Sequence, residues 1–163
     1  MNIPRTRPRV VFDCNISVQA AAFEDGPAAE CLRLMESGAV ELFVSKPTIA
    51  ELRRVFTYEE VLSISPNLTP ERVSAFVKRV TVRATRLRRV PRVFNYPRDP
   101  KDVFYMDLAA TARADYLVTR DNDLLSLMSG HSAICKAFRR RTHPLLVVDP
   151  TTFLEKIRYD PNL

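Results

Sequence analysis

Apolar positions along this chain follow two periods in turn. Residues 9–13 (RVVFD), 40–44 (VELFV), 116–119 (YLVT) and 145–148 (LLVV) are short apolar blocks, which read as strands covered on both faces. Between them the apolar residues recur at helical spacing. Ala28, Cys31, Leu32 and Met35 predict a helix over 27–37 that stops before Gly38. Ile49, Leu52, Val55 and Phe56 predict another over 47–56. Thr69 before Pro70-Glu71-Arg72 reads as an N-cap with proline at the first helical position, and this helix is expected to run to about residue 88. Asp99-Pro100-Lys101-Asp102 opens a further helix to about residue 114, burying Val103, Met106, Leu108 and Ala110. A short strand is expected around 92–94, and a closing helix over 150–157. Strands alternating with helices predict an α/β fold: a three-layer α/β/α arrangement with a central parallel sheet of about four to five strands.

Composition narrows the function classes. A chain of 163 residues with 46% hydrophobic and 27% charged residues is expected to form one domain, 1–163 with its core at about 9–155. Three glycines are too few, and wrongly placed, for G-x-G-x-x-G or a Walker A loop, so nucleotide binding by those routes is excluded. Three cysteines, with no C-x-x-C pair, argue against a disulfide framework; Cys14 and Cys31 are expected in the core. The opening MNIPRTRPR lacks the apolar run of a signal peptide, and no stretch of eighteen apolar residues exists. The expectation is a cytoplasmic protein without a membrane partner.

Charge is less ordinary. The net charge is +6, yet residues 71–92 alone hold eight basic residues and one acid, a local +7. Smaller basic clusters lie at Arg5/Arg7/Arg9 and Lys136/Arg139/Arg140/Arg141. Basic flanks around an acidic remainder suit a polyanion held over a carboxylate-rich site, although a solvated arginine-rich helix face would look the same. Arg79, Arg83 and Arg86 are spaced to share a helical face and are the expected phosphate contacts, with Phe94 and Tyr96 as nearby stacking or packing residues.

In an open α/β sheet, ligands bind beyond the carboxyl ends of the strands. Asp13 closes the first strand, Asp121 lies just past the strand ending at Thr119, and Asp99 and Asp102 sit at a helix start. Glu51 lies one turn into the helix after the second strand. Like charges that close need compensation, and hard oxygen ligands favour Mg²⁺ or Mn²⁺. Bland readings exist for most of them: Asp99 as a cap, Asp102 as a first-turn acid, Glu51 as a partner of Arg53 or Arg54, Asp123 as the end of a turn. Asp13 is hardest to dismiss, because an acid ending a buried apolar strand needs a reason.

In order, the segments VVFDCNI, VSKPTIAELRRVF, RDPKDVFYMDLAATARADYLVTRDNDLL and LLVVDPTTFL resemble the PIN domain family, over residues 9–154. The likeness is nearest to its toxin–antitoxin toxin branch. The resemblance implies a metal-dependent ribonuclease related to VapC-type toxins, with RNA as substrate, an antitoxin protein as partner and a homodimeric state. It implies the catalytic acids Asp13, Glu51, Asp102 and Asp121, with metal on Asp13, Asp102 and Asp121. Asn15 and Thr119 match supporting polar positions, and Asp99 and Asp123 would be accessory. It also implies products with a 5′-phosphate and a 3′-hydroxyl. Two features depart from the pattern. R-D-P-K-D offers both Asp99 and Asp102 as the third acid, of which Asp102, inside the helix, is preferred. Residues 129–143 make a longer and more basic link than usual, expected as a loop; His131 and His143 fall there and receive no catalytic role.

Three rival readings are weaker or differ in class. A haloacid-dehalogenase-type phosphatase needs D-x-D where the chain has Asp13-Cys14-Asn15. A receiver domain needs an acidic pair before the first strand's end and a late lysine, neither of which is evident. A catalytically silent PIN-fold module, binding RNA or a partner protein, would be marked by loss of one metal acid, and none is lost.

Overall fold

Val10 and Val11 have no exposed surface, because the strand that carries them is covered on both faces. That strand, β1 (Arg9–Phe12), is the middle of a five-stranded parallel sheet in the computed structural model, which describes residues 7–95 and 100–159. On one side β1 pairs with β2 (Glu41–Ser45), Val10 opposite Leu42, and β3 (Thr85–Leu87) lies beyond it. On the other side it pairs with β4 (Tyr116–Val118), Val11 opposite Leu117 and Phe12 opposite Val118. β5 (Leu146–Val148) closes that side. The order β3-β2-β1-β4-β5 means the chain builds outward from β1 one way, then crosses back to build the other way. The crevice between β1 and β4 is therefore the topological switch point, where such sheets bind ligands.

Helices flank the sheet in a three-layer α/β/α arrangement: α1 (Cys14–Ala22), α2 (Pro27–Glu36), α3 (Lys46–Val55), α4 (Glu59–Leu62), α5 (Pro70–Arg83), α6 (Pro100–Ala112), α7 (Asn122–Leu125), α8 (Ala133–Thr142) and α9 (Pro150–Arg158). Two of these starts are pinned to strand ends by side chains. Ser45 and Thr48 form a reciprocal capping box, with the Ser45 N–H donating to Thr48 Oγ1 at 2.9 Å, which fixes α3 to the end of β2. Asp149 Oδ1 accepts the Thr152 N–H at 2.8 Å and fixes α9 to the end of β5. Phe153, fully buried, then packs edge-on against Phe12 and Tyr116, with ring centroids 6.1 and 5.2 Å away.

The structure departs from the sequence expectation in four places. α1 gave no periodic signal because CNISVQAAA buries residues around most of its circumference. α5 ends at Arg83, not near residue 88, and the third strand is Thr85–Leu87, not 92–94. An edge strand buries little, so its T-R-L sequence carries no apolar run to betray it. The basic link 129–143 is largely helical: α8 opens at the Ser132 cap and buries Cys135, Phe138 and Thr142 on one side. Arg139, on that helix, donates to the carbonyls of Leu127 and Gly130 at 2.7 and 2.8 Å, so part of the basic cluster holds the preceding loop. The proposed Asp99 cap lies outside the described residues, as do Tyr96 and Arg5.

Residues 88–95 have no regular structure, yet they are not loose. Asp107, buried on α6, accepts the N–H groups of Val93 and Phe94 on one oxygen at 2.9 and 3.0 Å. Phe94 is thereby held in the core, 5.3 Å from the Phe138 ring, which makes it a packing residue. Asp107→Ala would strand both amides. At roughly 1–3 kcal/mol per unsatisfied group, the urea midpoint should fall by the equivalent of about 2–6 kcal/mol, and by less in Asp107→Asn, which keeps an acceptor. An unchanged midpoint in Asp107→Ala would show that these bonds do not hold the segment.

Candidate active site

Parallel strands send their carboxyl ends to one edge, so the residues that follow β1 and β4 must emerge side by side. Asp13 follows β1, and its N–H donates to the Val118 carbonyl at 3.0 Å, extending the ladder by one step. Thr119 follows β4 and is fully buried. Its hydroxyl donates to Asp13 Oδ2 at 2.8 Å and accepts the Asp121 N–H at 3.0 Å. One threonine side chain thus ties the acid of β1 to the turn after β4. Asp121 in turn caps α7, accepting the Asp123 N–H on Oδ1 at 2.8 Å.

Two helices bring in the remaining acids. Asp102, in the first turn of α6, is buried, and it contributes to a group in which one carboxylate oxygen each from Asp102, Asp121 and Asp123 lie within 4.8 Å of one another. Glu51, on α3, is also buried, at 7% exposure, so the pull of neighbouring Arg54 acts on a buried carboxylate and not within a surface pair. It is close enough to Asp13 for the Asp13 charge to disfavour its ionisation. Tyr105, one turn beyond Asp102 on α6, buries its hydroxyl beside Glu51 and Cys14. The phenol is near enough to favour the ionised Glu51, but the pair misses good hydrogen-bond geometry, so Glu51 Oε2 and the Tyr105 hydroxyl are both buried without a formed partner.

All four expected catalytic acids therefore reach one rim; the oxygens grouped within 4.8 Å are those of Asp102, Asp121 and Asp123, with Asp13 tied to Asp121 through Thr119. Asn15 is exposed in the first turn of α1. Tyr105 was missed in the sequence, although its i, i+3 relation to Asp102 puts both on one helix face. The arginines fare differently. Arg79 pairs with Glu36 at 3.4 Å and lies over the Phe76 ring at 5.5 Å, while Arg83 donates to the Glu36 carbonyl at 2.7 Å. Both sit near the end of α5, just before β3 begins, at the sheet edge opposite the acids. Arg86 is on β3, so the three do not share a helix face.

Burial is the main electrostatic fact of the site. It raises the Asp13 carboxyl above the ordinary carboxylate range, opposed by the Thr119 hydrogen bond and helped by Asp121. It raises Glu51 likewise, with Asp13 adding to it and Lys101 and Arg54 offsetting part.

A family model described as PIN domain matches residues 9–123, from the start of β1 into α7 and through every acid of the rim. The chain belongs to the PIN domain family. PIN domains are in general nucleases that use divalent metals, and the acidic rim here is the corresponding feature. β5, α8 and α9 lie beyond the matched span, yet β5 continues the same sheet. No curated protein and no solved structure matches the chain. Among the described residues, no helix is long and apolar enough to cross a membrane.

The raised Asp13 sets a sign for stability. In the unfolded chain Asp13 ionises in the ordinary range; in the fold it ionises only at higher pH. Stability of the metal-free protein should fall as pH rises through that interval, because the unfolded state gives up its proton first. Asp13→Asn removes this penalty while keeping an acceptor for Thr119. In EDTA at pH 7.5 its melting temperature should exceed wild type by about 2–4 °C, the shift expected for ~1 kcal/mol at this size, and the gain should vanish at pH 4. A variant less stable than wild type at pH 7.5 would contradict the crowding of these acids.

Proposed function

We propose that this PIN domain is an Mg²⁺- or Mn²⁺-dependent endoribonuclease that hydrolyses RNA phosphodiester bonds, serving as the toxin of a toxin–antitoxin pair. The observation that supports it is the convergence of Asp13, Glu51, Asp102, Asp121 and Asp123 on one rim at the switch point. An all-carboxylate donor set suits a hard divalent cation, and the orphaned Glu51 Oε2 and the raised Asp13 mark negative charge that needs offsetting. Asp13, Asp102 and Asp121 would hold the cation, with Asp123 close by. Such a cation, when bound, offsets charge on the scissile phosphate and brings water ionisation toward neutral pH.

The chain's own groups divide the remaining work. Thr119 fixes the Asp13 carboxylate through Oδ2 and the Asp121 backbone through the same hydroxyl, so the two acids keep their spacing when charge changes around them. Glu51, neutral more readily than an exposed glutamate, is suited to take the proton of the attacking water on Oε2. In-line attack then leaves a 5′-phosphate and a 3′-hydroxyl. The same reading gives the protein an antitoxin and a second copy of itself as partners, in the cytoplasm.

A metal titration followed by a cleavage assay on single-stranded RNA tests this. Protein stripped with EDTA should be inactive, and Mn²⁺ or Mg²⁺ should restore saturable cleavage. Asp102→Asn and Asp121→Asn should each lose about 100-fold or more. Growth arrest on induced expression, absent for Asp121→Asn, marks the toxin role. A folded wild type that cleaves no RNA with either metal would sink the nuclease reading and leave the silent module.

A further inference from the structure

We infer that the cleft lined by Lys46, Arg88, Arg92 and Phe104 is the subsite where a single-stranded nucleic acid lies, with phosphates on the three cations and a base against the Phe104 ring. This rests on the nuclease reading of the acidic rim and names where its substrate strand runs. Lys46 follows Ser45, the last residue of β2, and Arg88 follows Leu87, the last residue of β3. Both cations therefore leave the sheet at the edge that carries Asp13, Thr119 and Asp121. The α5 arginines, at the opposite edge and engaged with Glu36, have neither advantage.

The cleft has a volume of about 300 Å³, at the low end of cavities that take small ligands. Its three cations are exposed and, among the described residues, form no ion pair. The acid in its lining, Asp107, already holds the Val93 and Phe94 amides on Oδ1. A basic cleft of this kind, without an ion pair among the described residues, lowers its own charge repulsion by taking a polyanion. Phe104 supplies the second feature. It keeps 39% of its surface exposed on a helix whose neighbouring residues Tyr105 and Met106 are buried. Phe104 sits two residues after Asp102, about 3 Å further along the axis but roughly 200° around it, so the ring faces the cleft, beside Asp107, from the side of α6 turned away from the rim acid. An exposed ring among cations is what strand binding without sequence readout uses, phosphates on charge and bases on a π face. An acidic peptide would satisfy the cations but leave the ring unused.

Binding of a labelled single-stranded RNA in EDTA separates this subsite from catalysis. Replacing Lys46, Arg88 and Arg92 together with Gln should flatten the slope of log affinity against log salt by ~0.7 per contact, about 2 in all. The same neutralisation at Lys156 and Arg158, near the end of α9 and so at the other edge, should leave the slope unchanged. Phe104→Ala should weaken binding about 10-fold. The chain has no tryptophan, so Phe104→Trp makes a single reporter, whose emission should be quenched when a base stacks on it. An unaltered salt slope in the triple variant, no quenching in Phe104→Trp, or equal binding of a poly-glutamate peptide would each overturn the subsite, the last assigning the cleft to an acidic protein. RNA bound through these residues but never cleaved with metal would sink the nuclease reading and keep the subsite. A wild type that binds no RNA would end both.

Discussion

Carboxylates repel one another, and in this protein the sheet leaves them no room to separate. All five strands run the same way, so whatever follows β1 and β4 emerges at one edge, and β1 and β4 are neighbours. Asp13 and Asp121 are consequences of that geometry before they are anything else. Thr119 binds to both segments, and with no exposure at all it has no alternative partner in solvent. Through it the spacing of the two acids becomes a property of the sheet, not of two flexible side chains. In a rim built this way the cost of assembling like charges is met by folding, as the proposed cation site requires.

The surrounding elements arrange charge by distance from that centre. Acids fill the middle of the carboxyl edge: Asp13, Glu51, Asp102, Asp121 and Asp123, drawn from four separate stretches of chain. Cations stand at its flank, where β2 and β3 end, and further arginines are spent at the opposite edge on structure. Arg79 and Arg83 hold the end of α2, and Arg139 holds the loop before α8. A net charge of +6 therefore describes several populations of basic residues with different work, and only position on the sheet tells them apart.

Which parts of this were legible in the sequence follows from how each part is stabilised. Buried parallel strands must be apolar, so β1, β2, β4 and β5 were visible as short hydrophobic blocks, and the acids closing β1 and β4 stood out against them. β3 was not visible, since an edge strand of T-R-L buries too little to leave a pattern. α8 was hidden by its three consecutive arginines, which mask the buried series Cys135, Phe138 and Thr142. The expected arginine face failed for a related reason: spacing along a helix predicts a shared face only if the helix continues, and α5 stops at Arg83. Tyr105 and Asp107 read as ordinary helix residues until tertiary contacts showed a phenol beside Glu51 and a carboxylate holding two amides.

The central claim is that the buried acids form one cation site whose charge is incompletely developed without the metal. Proton release on Mn²⁺ binding measures this directly, by calorimetry in two buffers of different ionisation enthalpy. Asp13 and Glu51 ionise at higher pH than ordinary carboxylates, so binding at mildly acidic pH should expel protons, with the number falling toward zero as pH rises. Asp13→Asn should release fewer. Saturable Mn²⁺ binding with no proton release at any pH, or no saturable binding at all, would contradict a shared site built on these carboxylates.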